Sequence, residues 1–386
     1  MELLFEILLF TGLILGACYV FLMVFFFIGW LKTKEEYPEV SSPVMISVIV
    51  AVRNEEAVIS ECLNALLAQE YPLEKFELIV ADDYSTDKTG SILELFSAKY
   101  NHLRLLKLAD NNLSPGKKNA IEAAVDIATG ELIVSTDADC VMEKKWLQSI
   151  ANCYAATNAK MIVAPVAFKE EKTVFEKMQS LEFIALMVSS GGALYFNKAI
   201  MCNGANLAYT KSVFNEVSGF SDIGGIASGD DVLLMYKIKK KYADGINYLK
   251  NKDAIVYTKA KQTVSEFIQQ RKRWASKGFF AMNLETKVVA LVVYLFNAFL
   301  VITPLIDWIG YRNCFFYGLL TVFCLILIGI KCIIDFLLLF LSASFFKKER
   351  FLLLFLPEQL IYMIYVVVIG AIGSMGKYEW KGRKTN

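Results

Sequence analysis

The 386 residues carry 40 Lys and Arg against 39 Asp and Glu, a formal net charge of +1, so no global field favours nucleic acid. Apolar residues make up 56% of the chain and the mean hydropathy is +0.45, above the range of ordinary soluble domains. One histidine, His102, and eight cysteines without a CxxC pair leave a histidine-based metal site or a Ser-His-Asp triad resting on a single residue. Cys18, Cys314, Cys324 and Cys332 fall in apolar runs and read as small reduced hydrophobes rather than a disulfide or zinc framework.

In chain order, Leu3–Leu31 is an apolar run broken only by Glu6, long enough to cross a hydrocarbon core. Its start lacks the positive charge of a cleaved leader. It ends at Trp30, Lys32 and Lys34, which by the positive-inside rule predicts an anchor with the following chain in the cytoplasm. After Pro43 the pattern alternates. Val44–Val52 reads as a strand buried on both faces, Glu55–Gln69 as a helix, Phe76–Val80 as a strand and Thr89–Tyr100 as a helix. Leu103–Leu106 is a third strand, Lys117–Ala128 a helix, and Glu131–Ser135 a strand. Such alternation predicts a doubly wound α/β sheet, in which ligands bind beyond the carboxyl ends of the strands. From about residue 285 the chain is apolar again, with candidate spans at Val288–Trp308, Phe315–Leu341 and Phe351–Ile372. The count after the domain is three or four. A strict three would put the basic tail (Lys377, Lys381, Arg383, Lys384) outside, against the charge rule.

Polar clusters stand at the predicted strand ends. Asp137-Ala138-Asp139 suits a hard divalent cation carrying a diphosphate, or is an Asp-rich turn. Asp82-Asp83 and Arg53-Asn54-Glu55-Glu56 would meet a base or ribose, or simply cap the helices that follow. Lys117, after Pro115-Gly116, would reach a phosphate or solvate a surface. Asp230 and Asp231 precede a helical stretch, as caps or as a general base where no histidine is at hand. Gln270, Arg273 and Trp274 lie in an amphipathic helix beginning near Thr263. There they serve a membrane surface, or a diphosphate and a sugar.

Six motifs in order, VIVAVRNEE (Val48–Glu56), DDYSTDKT (Asp82–Thr89), TDAD (Thr136–Asp139), GANLAY (Gly204–Tyr209), GDD (Gly229–Asp231) and QRKRW (Gln270–Trp274), run through nearly the whole soluble stretch. Together they resemble the family 2 glycosyltransferases, in particular the membrane-bound branch of cellulose, chitin and hyaluronan synthases and ceramide glucosyltransferases. The resemblance implies a GT-A-like, mostly parallel doubly wound sheet with flanking transmembrane helices. It divides the chain into an anchor (1–31), a linker (32–43), a catalytic domain (44–261), an interface helix (262–284), a membrane region (285–376) and a basic tail (377–386). It implies Asp231, with Asp230, as the catalytic base. Arg53, Asn54, Glu55, Asp82, Asp83, Lys117, Asp137, Gln270 and Arg273 would hold the donor. Asn203, Gly204, Asn206 and Trp274 would hold the acceptor, and Asp139 with Asp137 would hold Mg²⁺ or Mn²⁺. A nucleotide-sugar donor, UDP-linked, and a lipid or polysaccharide acceptor at the cytoplasmic face of a bacterial membrane follow as expectations. The competing expectations are a processive exopolysaccharide synthase and a catalytically silent membrane scaffold. The sugar, the acceptor and protein partners are not legible in these residues.

Overall fold

The computed structural model describes residues 2–40, 42–221, 229–275, 282–310, 318–373, 379–380 and 383–384. The chain divides into two compact units. A sheet unit comprises residues 32–170, 194–260 and 379–386, and a helical unit comprises 1–31, 171–193 and 261–378.

The sheet unit is built on β1 (Ile46–Val52), β2 (Phe76–Asp82), β3 (Leu103–Lys107) and β4 (Leu132–Asp137), which pair in parallel in the order β3-β2-β1-β4. All seven residues of β2 and six of the seven in β1 are buried, as expected of strands covered on both faces. The intervening helices α2 (Ile59–Leu67), α3 (Thr89–Lys99) and α4 (Lys117–Ile127) supply that cover. Beyond β4 the sheet changes character. β8 (Leu207–Thr210) runs antiparallel to β4 and to β6 (Met161–Val163), and β9 (Ile246–Tyr248) closes the edge. A small second sheet joins β5 (Val141–Met142), β10 (Val256–Thr258) and β7 (Val166–Phe168). Helices α5 (Trp146–Thr157), α7 (Lys211–Glu216) and α8 (Asp230–Lys241) complete the unit. Register fixes the functional edge: Val52 pairs with Asp82, Ala51 with Asp137, and Asp82 with Lys107, so three strands end at one level.

At the opposite end, buried Glu77 ties the strands together. It accepts from Ser47 Oγ (2.7 Å), Thr129 N (2.6 Å), Thr129 Oγ1 (2.7 Å) and Arg104 (3.3 Å). Burial alone would raise this carboxyl, but the four donors outweigh it and hold the pKa below the ordinary 4.5. A depressed carboxyl contributes stability above its unfolded pKa and loses it as pH falls through the folded value. Glu77→Gln should therefore cost about 1–3 kcal/mol at neutral pH and flatten the loss of stability below 4.5, measured by denaturation across pH.

The helical unit is organised by small residues. Helix α1 (Glu2–Lys32) buries Gly12, Gly16, Tyr19, Met23, Phe26, Gly29 and Trp30, a stripe at three- and four-residue spacing. At Gly29 it meets α6 (Val174–Tyr195) backbone to backbone: a Cβ there would lie 2.1 Å from the carbonyl oxygen of Gly192. Helix α6 lies inside the stretch that reads from sequence as the soluble domain, yet residues 171–193 belong to the helical unit. The unit continues with α9 (Val264–Ala275), α10 (Leu284–Gly310), α11 (Leu319–Ala343) and α12 (Phe355–Gly373), the last preceded by a 3₁₀ turn at Glu349–Leu354. Among the described residues four helices are long and apolar enough to cross a membrane, α1 and three after the sheet unit. Of the basic tail, Lys377 and Lys381 lie outside the described residues, as does Cys314, while Arg383 and Lys384 pair with Glu379–Trp380 in a two-stranded ribbon.

Ionisable groups inside these apolar helices find hydrogen-bond partners nearby. Lys331 is 1% exposed and bonds Asp335 at 2.7 Å and Gln359 at 2.5 Å, while Tyr19 donates to Asp335 at 2.9 Å. Asp307 accepts from the backbone and hydroxyl of Thr321 at 3.0 and 2.7 Å, capping α11. Because the α1–α6 crossing leaves no room for a methyl group, Gly29→Ala should destabilise the unit by about 2 kcal/mol or more. It should lower the midpoint of thermal aggregation in detergent without altering ligand binding by the sheet unit.

Candidate active site

The loops after β1 and β2 are stitched into one surface. Arg53 donates to the carbonyls of Asp83 (2.8 Å) and Tyr84 (3.1 Å), and Asn54 accepts from Thr86 N at 2.8 Å. Glu55 N donates to Thr89 Oγ1 at 2.8 Å. Asn54 and Tyr84 sit at φ of 51° and 57°, a region that side chains other than glycine seldom occupy and that recurs at ligand sites. Asp82 and Asp83 are 7% and 2% exposed. One oxygen of Asp82 takes the Ser85 N–H at 3.1 Å. Asp82, Tyr84, Ser85, Thr86, Asp87 and Lys107 line a cleft of about 380 Å³, a size that suits a small-molecule ligand. Burial pushes the Asp87 carboxyl up, but hydrogen bonds from Thr89 and from the Glu56 backbone pull it below the ordinary carboxylate value.

Beside this cleft stands an acidic centre that holds Lys117. Asp83 accepts the Gly116 N–H at 2.8 Å and so fixes the start of α4. Gly116 has φ 137°, a conformation open to glycine, and the turn presents Lys117 to Asp137 at 2.6 Å. Burial disfavours the Lys117 ammonium, but Asp137, Asp230 and Asp231 outweigh it and raise its pKa above the ordinary lysine value. From the other side, Gly229 in the left-handed region (φ 89°) opens α8 at Asp230. Asp231 then receives the Gly204 N–H at 2.9 Å and its neighbour Val232 N–H at 2.8 Å. Motifs far apart in sequence, Lys117, Gly204, Asp230 and Asp231, thus meet around a cavity of about 20 Å³, room for about one water. Thr136, whose buried hydroxyl has no protein partner, faces it.

Asp139 is exposed and accepts from Thr258 Oγ1 at 3.3 Å. Among the described residues no three His, Cys, Asp or Glu side chains converge as a metal cage. A hard cation here would therefore take Asp139 and Asp137 and complete its shell with water and ligand oxygens, as Mg²⁺ commonly does. Beneath this turn Cys62 and Cys140 are buried, and burial, with Asp139 and Asp137, raises both thiols above their usual range.

Two sequence candidates stand apart. Asn206 is 0% exposed and its amide is fully committed, accepting from Trp146 Nε1 (3.0 Å) and donating to Pro165 O (2.7 Å) and Ala254 O (2.8 Å). It holds the antiparallel part of the sheet together rather than facing the cleft. Asn203 folds back, its side chain accepting the Ala205 N–H at 3.0 Å. Gln270, Arg273 and Trp274 belong to the helical unit. His102 packs edge-on against Phe76 and Tyr100 as part of the core. Tyr209 closes the GANLAY motif, whose residues the resemblance places along the acceptor pocket. It lines the small cavity, and burial together with Asp230 raises its hydroxyl above the ordinary tyrosine value.

Residues 47–218 match the family described as Glycosyl transferase family 2. The match takes in less than half of the chain. Over 286 residues it is 26% identical to a probable glycosyltransferase, YdaM, of Bacillus subtilis (strain 168), covering 70% of this chain and 65% of that protein. Over 281 residues it is 25% identical to the poly-beta-1,6-N-acetyl-D-glucosamine synthase of Staphylococcus epidermidis, covering 71% of this chain and 65% of the relative. The chain thus spans less than two thirds of the length of either. A mannosyltransferase, PcManGT, from Pyrobaculum calidifontis, solved with GDP-Man and Mn²⁺, superposes with a TM-score of 0.60 at 17% identity, covering 93% of this chain and 99% of that one. The likeness shows the fold, the GT-A-like one that the motif resemblance implies.

Asn206→Leu would leave Pro165 O, Ala254 O and Trp146 Nε1 without their buried partner. Each loss costs about 1–3 kcal/mol. The variant should unfold at markedly lower denaturant, whereas Asn203→Ala should lose about 1 kcal/mol at most.

Proposed function

We propose that this protein moves a sugar from a nucleoside-diphosphate donor, UDP-linked, to a hydroxyl of a lipid or lipid-linked acceptor at the cytoplasmic face of the membrane, inverting the anomeric centre. The observation that carries the proposal is the meeting of Asp137, Asp230, Asp231 and Gly204 around Lys117 at the carboxyl edge of the parallel strands. Asp82, Asp83 and the Arg53–Glu55 turn would receive the nucleoside in the adjoining cleft. Lys117 would neutralise phosphate charge, and Gln270 and Arg273 are assigned to the donor, and Trp274 to the acceptor, on their motif alone.

In the proposed reaction Asp231 takes the proton of the acceptor hydroxyl, with Asp230 beside it. The acceptor oxygen bonds to the anomeric carbon from the face opposite the leaving group, and the bond to the diphosphate breaks with its electron pair. Asp139 and Asp137 would hold Mg²⁺ or Mn²⁺, which when bound supplies positive charge to the departing diphosphate. Supporting the lipid reading are the four apolar helices, one before and three after the sheet unit, an anchor set that suits an acceptor drawn from the bilayer. The second reading, a processive polysaccharide synthase, is favoured by the relative that is named as one.

The test is transfer from radiolabelled UDP-sugars, with Mg²⁺ or Mn²⁺ and membrane lipids, by detergent-purified full-length protein. Label in the organic phase is expected; label in a large water-soluble product would replace the lipid reading with the polymer reading. Asp231→Asn should lower turnover about 10²–10⁴-fold while donor binding, followed by calorimetry, stays within about threefold. Release of UDP from no donor by the wild type, or equal release by the variant, would remove the proposed mechanism.

A further inference from the structure

Within the helical unit, Arg271 is the most deeply buried of the motif residues in α9, and it belongs to none of the roles assigned so far. It is 3% exposed. Its guanidinium bonds Glu182 of α6 at 2.5 Å and Gln270 Oε1 at 3.0 Å. Its central carbon lies 4.6 Å from the Phe267 ring centroid and 4.0 Å from that of Trp274. Phe267, Arg271 and Trp274 fall at i, i+4 and i+7, one face of a helix. The groups around it hold one another in turn. Glu182 also accepts the Tyr365 hydroxyl at 3.2 Å, Tyr365 packs on Phe267 at 5.2 Å, and Trp274 stacks on Phe183 at 6.2 Å.

We propose that Arg271 is the positioning residue for Gln270 and Trp274. It is a planar cation, anchored to Glu182, that fixes the amide of the first and the indole plane of the second. This deepens the proposed function and rests on it for the part Gln270 and Trp274 play there. The geometry calls for a guanidinium specifically. A buried ion pair alone would accept lysine, but a compact ammonium cannot reach Glu182, Gln270 and both ring faces together. Glu182, held by Arg271 and Tyr365, is the fixed end of the arrangement, so the orientation is set by packing in the helical unit and needs no ligand to form.

The experiment uses the full-length protein in detergent and compares wild type, Arg271→Lys, Glu182→Gln and, as a control at an exposed position on the same helix, Ser265→Ala. Two quantities are read. Acrylamide quenching of Trp274, obtained by difference against Trp274→Phe in each background, reports the exposure the indole gains on leaving its stack with Arg271 and Phe183, whether or not the protein is active. It should rise about twofold or more in Arg271→Lys and in Glu182→Gln and stay unchanged in Ser265→Ala. Steady-state transfer should show kcat/KM about tenfold lower in Arg271→Lys, with the change in KM exceeding that in kcat, and thermal stability close to wild type. Unchanged quenching in Arg271→Lys overturns the proposal. So does a fall in activity wholly accounted for by loss of folded protein, or altered quenching with unaltered kinetics. A wild type that turns over no donor removes the glycosyltransferase reading, and the quenching arm still decides whether Arg271 orients Trp274.

Discussion

Two carboxylates about 4 Å apart repel by about 4 kcal/mol at an effective dielectric near 20, and the carboxyl edge of this sheet brings Asp137, Asp230 and Asp231 near the Lys117 ammonium. The arrangement of the site follows from satisfying that charge. Lys117 faces the carboxylates because Gly116 adopts a conformation that side chains avoid, and Gly116 is held there by Asp83, the residue that follows β2 and donates its N–H to Val52 O. Asp231 is steadied by the Gly204 N–H, which ties the start of α8 to the segment leading into β8. Strand register and one glycine turn thus determine where Lys117 stands among these carboxylates.

The parallel half of the sheet was legible because its signals are local. Long apolar runs bounded by polar turns specify β1, β2 and β4, and their helices carry their own periodicity. The antiparallel half was not legible, because β5, β6, β7, β9 and β10 have two or three residues each and take their partners from distant segments. Too few residues alternate in such strands for any period to emerge. The site divides along the same line. Aspartates at strand ends announce themselves, whereas nothing local separates Asn203, Gly204 and Asn206. Only the fold shows that Gly204 serves Asp231 while Asn206 bonds Trp146, Pro165 and Ala254. Arg271 escaped for a related reason: in a run of basic residues it reads as solvated, and its burial depends on Glu182, 89 positions away.

The helical unit meets a different constraint. With little water to drive association, close approach of backbones and local charge pairing must do it. Gly29 against Gly192 provides the first, and Lys331 with Asp335, Gln359 and Tyr19 the second. Charges that would be costly alone become specific links between helices once each has a partner at hydrogen-bond distance.

Helices α6 and α9 begin with the same device. Thr173 and Glu176 exchange backbone and side-chain hydrogen bonds at the first, and Thr263 and Glu266 do so at the second. Each lies a few residues after the chain leaves the sheet unit, at 170/171 and 260/261. The angular phase of each helix is therefore set at its own first turn and not inherited from the peptide that feeds it. A substitution in the peptide before Thr173 or Thr263 thus leaves in place the hydrogen bonds that start the helix.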